Sequence, residues 1–151
     1  MQEAAHRFFA SPQFAVVGAS QAQSKFGYRI LAWYHTHSLP VTPINPTRPN
    51  ISLPSHTYPT VASVRELASP GETALSFITP PPATLETLKA AKEVGVKSVW
   101  LQPGSFDDDV LAYAKENFEN AVAGFDEGTV GGEGWCVLVD GENSLDALGH
   151  R

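Results

Sequence analysis

Apolar residues in this chain come in short unbroken runs rather than in strict alternation, and the runs stop at glycine, proline or small polar residues. The first is Phe14-Ala15-Val16-Val17, which ends at Gly18-Ala19-Ser20. Runs of this kind mark strands buried on both faces, as in a parallel sheet covered above and below by helices. The pattern predicts five strands, over residues 13–18, 41–44, 74–79, 98–102 and 121–123. Between them the spacing predicts helices over 26–37, 60–68, 82–94 and 107–117, with a short helix over 3–9 ahead of the first strand. This alternation predicts an α/β chain: a Rossmann-like, doubly wound, three-layer α/β/α fold around a mostly parallel sheet of five or six strands.

Boundary residues agree with that reading. Pro82, Thr84 and Glu86 open one helix, where proline and acids are tolerated, and Gly95 closes it. Ser105 stands before Asp107-Asp108-Asp109, a helix start with three acids placed to complement the positive end of the helix dipole. The segment 126–135 holds Gly128, Gly131, Gly132 and Gly134 with no period, so it reads as a loop. Residues 135–139 read as a last short strand or edge, 140–143 as a turn, and 144–151 as a frayed helical turn.

Size and composition narrow the class. A chain of 151 residues suits one domain, and at that length roughly two thirds of the unfolded surface is buried on folding. No apolar run approaches the roughly 20 residues that cross a bilayer, and the segment 1–9 carries an early acid and no long apolar core. A cytoplasmic protein with no membrane association follows as the expectation. The single cysteine, Cys136, excludes an internal disulfide, and with five scattered histidines it gives no metal-ligand spacing. A net charge of -6 without a Lys/Arg cluster argues against nucleic acid as partner. It does not argue against a small anionic ligand, which a helix N-terminus and one or two cations bind locally.

The loops after the strands hold the candidate chemistry, because ligands of open parallel sheets lie beyond the carboxyl ends of the strands. After the first strand, Gly18-Ala19-Ser20 lacks bulk and lets phosphate oxygens approach the backbone, with a hydroxyl at Ser20. The glycines at 18 and 27 do not form the G-x-G-x-x-G of dinucleotide enzymes. An NAD site places an acid after the second strand, whereas this chain has Asn45 there, with Arg48 three residues on. A guanidinium at that place suits a phosphate on the ribose, so CoA or NADP is preferred to NAD. Turns at Thr79-Pro80-Pro81-Pro82 and Gln102-Pro103-Gly104 follow the third and fourth strands, held in extended shapes by proline.

Taken together, Val17-Gly18-Ala19-Ser20, Lys25, Pro43-Ile44-Asn45-Pro46, Thr79-Pro80-Pro81 and Val99-Trp100-Leu101-Gln102-Pro103-Gly104 resemble the small YccU-like CoA-binding domain proteins. That group is related in fold to the CoA-binding domain of succinyl-CoA synthetase, and the resemblance runs from about Phe14 to Val139. It implies a single CoA-binding domain over 1–151, with CoA or an acyl-CoA lying across the strand ends. By the same resemblance, Gly18, Ala19 and Ser20 contact the pyrophosphate with Lys25 as counter-charge, and Arg48 faces the ribose 3'-phosphate. Asn45 is a further ligand-binding position, and Thr79, Pro80, Gln102 and Gly104 line the pantetheine path. The glycine-rich stretch 126–134 is longer than in the bacterial proteins of that group.

No catalytic set is legible. A hydrolase or transferase needs a nucleophile with a base in reach, or paired carboxylates, and none of His6, His35, His37, His56 and His150 falls in a loop at a predicted strand end. The expectation is therefore a ligand-binding module rather than an enzyme, with no metal and no catalytic residue assigned. Two alternatives stay open: an NADP-dependent oxidoreductase or NADP-binding protein on the same fold, and an interaction protein with a vestigial nucleotide pocket. Trp33 and Tyr34 are read as core or as the face of a possible homodimer, Trp100 as strand packing, Cys136 as buried packing, and Asp126 and Glu127 as loop carboxylates.

Overall fold

The computed structural model describes residues 2–123. Five strands form one parallel sheet: β1 (Gln13–Val17), β2 (Val41–Ile44), β5 (Thr73–Phe77), β6 (Ser98–Leu101) and β7 (Asn120–Val122), in the order β2-β1-β5-β6-β7. Two further strands, β3 (Asn50–Leu53) and β4 (His56–Pro59), make a separate antiparallel hairpin. The helices are α1 (Gln2–Phe9), α2 (Phe26–Thr36), α3 (Pro81–Val94) and α4 (Asp108–Asn117).

The continuous apolar runs are explained by burial on both faces. In β1, Phe14 and Val16 turn to the side covered by α1, α2 and the hairpin, while Ala15 and Val17 turn to the side covered by α3 and α4. Two cores result, one on each side of the sheet. The first is aromatic: Phe8, Phe9, Phe14, Trp33, Tyr34 and Trp100 interlock with ring centroids between 5.1 and 5.8 Å apart. Trp33, Tyr34 and Trp100 are thus core residues. The second core is mainly aliphatic, with Leu75, Leu88, Val99 and Leu101 wholly buried around Phe77.

Local rules set the ends. At the end of α3, Gly95 takes the left-handed conformation (φ 95°), its N–H bonds Lys92 O at 3.2 Å and the Val96 N–H bonds Ala91 O at 3.0 Å, the pairing of a Schellman motif. The cap of α4 is Asp107, whose carboxylate accepts from the Val110 N–H at 2.9 Å. Ser105, the residue expected ahead of that helix, instead closes the preceding turn by donating from Oγ to Gln102 O at 2.7 Å.

One expected element is replaced. Residues 60–68 hold only a single 3-10 turn at Val64–Glu66, capped by Ser63, and the ten residues before it form the hairpin. The backbone of Val61 is already committed: its N–H bonds Pro43 O, and its carbonyl accepts from Asn45 N, continuing the sheet one bridge past β2. A residue paired to a strand on both sides has no groups left for a helical ladder. The elements expected at 126–151, with Cys136, Asp126, Glu127 and His150, lie outside the described residues.

Candidate functional site

Chain order around β1 creates the crevice. The chain leaves β1 for β2 on one side and returns to β5 on the other, so the connections diverge beyond the carboxyl ends of β1 and β5, where open sheets take ligands. Gly18 (φ 95°) makes the turn out of β1, and a Cβ there would lie 3.1 Å from the Thr79 methyl and 3.2 Å from Ile78 Cγ1. The two loops therefore touch. The ladder continues into them, with the Ile78 N–H on Val17 O at 3.1 Å and the Gln102 N–H on Phe77 O at 3.0 Å.

From Gly18 the chain runs through Ala19, which is buried, and Ser20, whose Oγ accepts from the Ala22 N–H at 3.1 Å. Lys25, exposed and extended, is the residue ahead of α2. Gly27 then brings the helix against the loop: a Cβ at this position would overlap the Gly18 carbonyl oxygen and stand 3.0 Å from Ser20 N. This glycine does what the third glycine of a dinucleotide fingerprint does, close approach of helix to loop, from a different spacing. The start of α2, with its positive dipole end, is thereby pressed against the Gly18-Ala19-Ser20 loop.

Asn45 is a tie. Its Nδ2 donates to Ala19 O at 3.0 Å, and its Oδ1 accepts from Thr47 N at 2.8 Å and from Arg48 N at 3.1 Å. One side chain thus joins the β1–α2 loop to the turn that carries Arg48. The Arg48 side chain is exposed, with Nε on Asn50 O at 3.3 Å. A second tie runs from Gln21, which exchanges two hydrogen bonds with the backbone of Ser52 in the hairpin, at 2.8 and 3.0 Å.

On the other side of the crevice, the Thr79 hydroxyl meets that of Thr84 at 2.7 Å, and Thr84 donates to Thr79 O at 2.9 Å, so this turn is closed inward on α3. Pro80 caps α3 and is exposed. Gln102 is buried at the end of β6, and Gly104 (φ 90°) is exposed with open space where a Cβ would stand. The structure brings Gly18 to Thr79 and Asn45 to Ala19, with Ser20 and Lys25 on the same connection as Gly18. Gln102 and Gly104 follow the next strand outward from β5.

A mainly apolar cleft of about 320 Å³ opens beneath the crevice, lined by Gly18, Ile44, Pro46, Val64, Thr79 and Ala83 among others. Its floor is the face of α3 bearing Ala83, Thr87 and Ala90. Small residues at helical spacing are a signal for such a face that the sequence carries but that a reading of the strand-end loops passes over. Gly27 and Gln21 carried no such signal, because their roles depend on which backbone lies opposite.

Among the described residues no three of His, Cys, Asp and Glu gather to hold a metal. His35 sits near the far end of α2 with Nδ1 on the Tyr58 hydroxyl at 2.8 Å and Nε2 on Ser55 Oγ at 3.0 Å, holding the hairpin. His37 stacks on Trp33 and meets Trp33 O at 2.8 Å. Burial pushes the phenols of Tyr34 and Tyr58 up, Tyr34 well above the ordinary phenol range.

The family model described as a CoA binding domain matches residues 12–127. No curated protein sequence matches the chain. Among solved structures, a conserved hypothetical protein from Pyrococcus furiosus is 30% identical, over 72% of this chain and 90% of that one, with a TM-score of 0.65. A protein from Thermus thermophilus is 25% identical over 80% of this chain and 88% of its own, TM-score 0.67. A hypothetical protein from Pyrococcus horikoshii, 20% identical over 81% and 83%, shares the fold with a TM-score of 0.70. Among the described residues no helix is long and apolar enough to cross a membrane.

Proposed function

The chain belongs to the CoA binding domain family, and from that premise we propose that it holds coenzyme A or an acyl-CoA across the carboxyl ends of β1, β2 and β5, as a carrier or sensor rather than a catalyst. When bound, the coenzyme supplies a thiol or thioester; the residues of this chain bind and orient it. Backbone N–H groups of Gly18-Ala19-Ser20 and the start of α2 receive the pyrophosphate, with Lys25 as counter-charge. Asn45 positions the loop and the Arg48 turn relative to each other, and Arg48 offers its planar fork to the ribose 3'-phosphate. Thr79, Pro80, Gln102 and Gly104 border the path of the pantetheine arm.

The observation that carries this reading is the packing at Gly27. The start of α2 is pressed so closely on a loop of Gly, Ala and Ser that no Cβ fits at Gly27, and the first N–H groups of a helix have no partner within the helix itself. A helix start beside a loop of small residues is the arrangement that suits a pyrophosphate, and this supports the reading. Isothermal titration of the purified protein with CoA, acetyl-CoA, NAD and NADP tests it. Binding of CoA species in preference to NAD supports the proposal; absence of heat and of any thermal shift with every CoA species overturns it.

Arg48 at the end of β2 also favours a second reading, NADP, whose ribose 2'-phosphate is read from the same place. Tighter binding of NADP than of CoA in the same titration would select it.

A further inference from the structure

Residues 4–65 contain no aspartate or glutamate, although they carry Arg7, Lys25, Arg29, Arg48 and Arg65 and four histidines. Residues 66–151 hold fifteen of the sixteen acids against five Lys and Arg. The fold turns this division along the chain into a division in space. The acid-free segment supplies β1, α2, β2 and the hairpin, whereas α3 and α4, on the opposite face of the sheet, carry Glu86, Glu93, Asp107, Asp108, Asp109 and Glu116.

Two of the five cations are neutralised: Arg7 pairs with Glu3, and Arg65 with Glu93 across to α3. The other three, Lys25, Arg29 and Arg48, are exposed and form no ion pair among the described residues. Lys25, the extended residue ahead of α2, and Arg29, near its start, put two positive charges at the helix end whose dipole is already positive, where cations are unfavourable. Arg29 is held over the ring of Phe26, with its guanidinium carbon 5.3 Å from the centroid. Phe26 is itself the exposed large hydrophobic residue of the described chain, at 51%. The contact with Phe26 holds the Arg29 guanidinium in place while its charge has no acidic partner among the described residues.

We propose that the α2–hairpin side of the molecule is an electrostatic capture surface for a polyanionic nucleotide, and that Arg29, outside the contact site, sets how fast the ligand arrives. The inference rests on the CoA reading above, since a protein of net charge -6 would otherwise repel a ligand bearing several phosphate charges. Lys25, Arg29 and Arg48 on the acid-free segment make the field locally positive, and steering depends on the field near the site rather than on net charge.

The test is stopped-flow association of a fluorescent CoA analogue with the full chain at low and high ionic strength. For the wild type, the association rate falls about tenfold or more as salt rises, the loss expected of a steered encounter. Arg29→Glu slows association severalfold at low salt with dissociation unchanged, and Arg29→Gln slows it by less. Lys115→Glu, an equal change in net charge on exposed α4, leaves association as in the wild type. Equal slowing by Arg29→Glu and Lys115→Glu, or a salt-independent wild-type rate, overturns the proposal. So does an Arg29→Glu effect confined to dissociation, which would make Arg29 a contact. If the wild type fails to bind the analogue, or unlabelled CoA by calorimetry, at low salt, it is the CoA reading that falls.

Discussion

Gly27 lies against the carbonyl oxygen of Gly18 with no room for a methyl group between them. In an ordinary helix Gly→Ala is favourable by about 1 kcal/mol. Here the added carbon meets backbone, which cannot rotate away, so overpacking dominates. Gly27→Ala should lose about 2 kcal/mol net, a fall in melting temperature of about 4–8 °C for a chain of this size, together with CoA affinity. Thermal denaturation and calorimetry on the same sample check both.

Asn45 donates to one loop and accepts from the other, so its two ends are separable. Asn45→Asp keeps the acceptor for Thr47 and Arg48 but sets a carboxylate oxygen against the Ala19 carbonyl oxygen. The variant should fold with a loss of about 1–2 kcal/mol and bind CoA at least about tenfold more weakly, since the added charge also faces the anion. Calorimetric affinity beside a urea midpoint separates the two effects.

Arg48 is assigned to a single phosphate. Arg48→Ala should weaken CoA about 10- to 100-fold, the range of a charge-assisted bidentate contact, and leave dephospho-CoA nearly unchanged. Competition titration with the two ligands decides; equal losses for both would remove Arg48 from the 3'-phosphate.

Tyr34 and Ser76 share a 2.6 Å hydrogen bond in a site sealed from solvent. Tyr34→Phe leaves the Ser76 hydroxyl buried without this partner, at about 1–3 kcal/mol, and Tyr34→Phe with Ser76→Ala recovers part of it. Burial also raises the Tyr34 phenol above its unfolded value. Below about pH 10 both states are protonated and the group contributes no pH dependence; above it the unfolded chain alone loses the proton, so stability falls by up to about 1.4 kcal/mol per pH unit. Guanidinium midpoints between about pH 8 and 11 should show this slope in the wild type and a shallower one in Tyr34→Phe.

The parts of the fold legible in the sequence are those whose cause is local. Val16-Val17-Gly18 announces a buried strand and a sharp exit, and Lys92 to Gly95 announces a helix stop, because burial and the left-handed turn act on the residues that carry them. The hairpin was not legible. Its strands are four residues each, one of them reads His56-Thr57-Tyr58-Pro59, and only Ile51 and Leu53 mark the buried face. Val61, Val64 and Leu67 stand three apart and imitate a helical stripe, while β2 takes the Val61 backbone. At the site, Gly18 and Thr79 were legible as loop residues after strands. The tie made by Asn45 and the packing at Gly27 were not, since both depend on partners that only the folded chain brings near.

The hairpin leaves and rejoins the sheet almost at one point: Asn45 N bonds Val61 O, and Thr60 N bonds Pro49 O. It is therefore an excursion with its stem clamped shut, and its length is independent of the strand order. Yet it reaches the β1–α2 loop through Gln21 and borders the turn of Arg48. Its exposed positions are therefore free to vary in sequence and length without altering the strand order, whereas Ile51 and Leu53 stay bound to the core beneath.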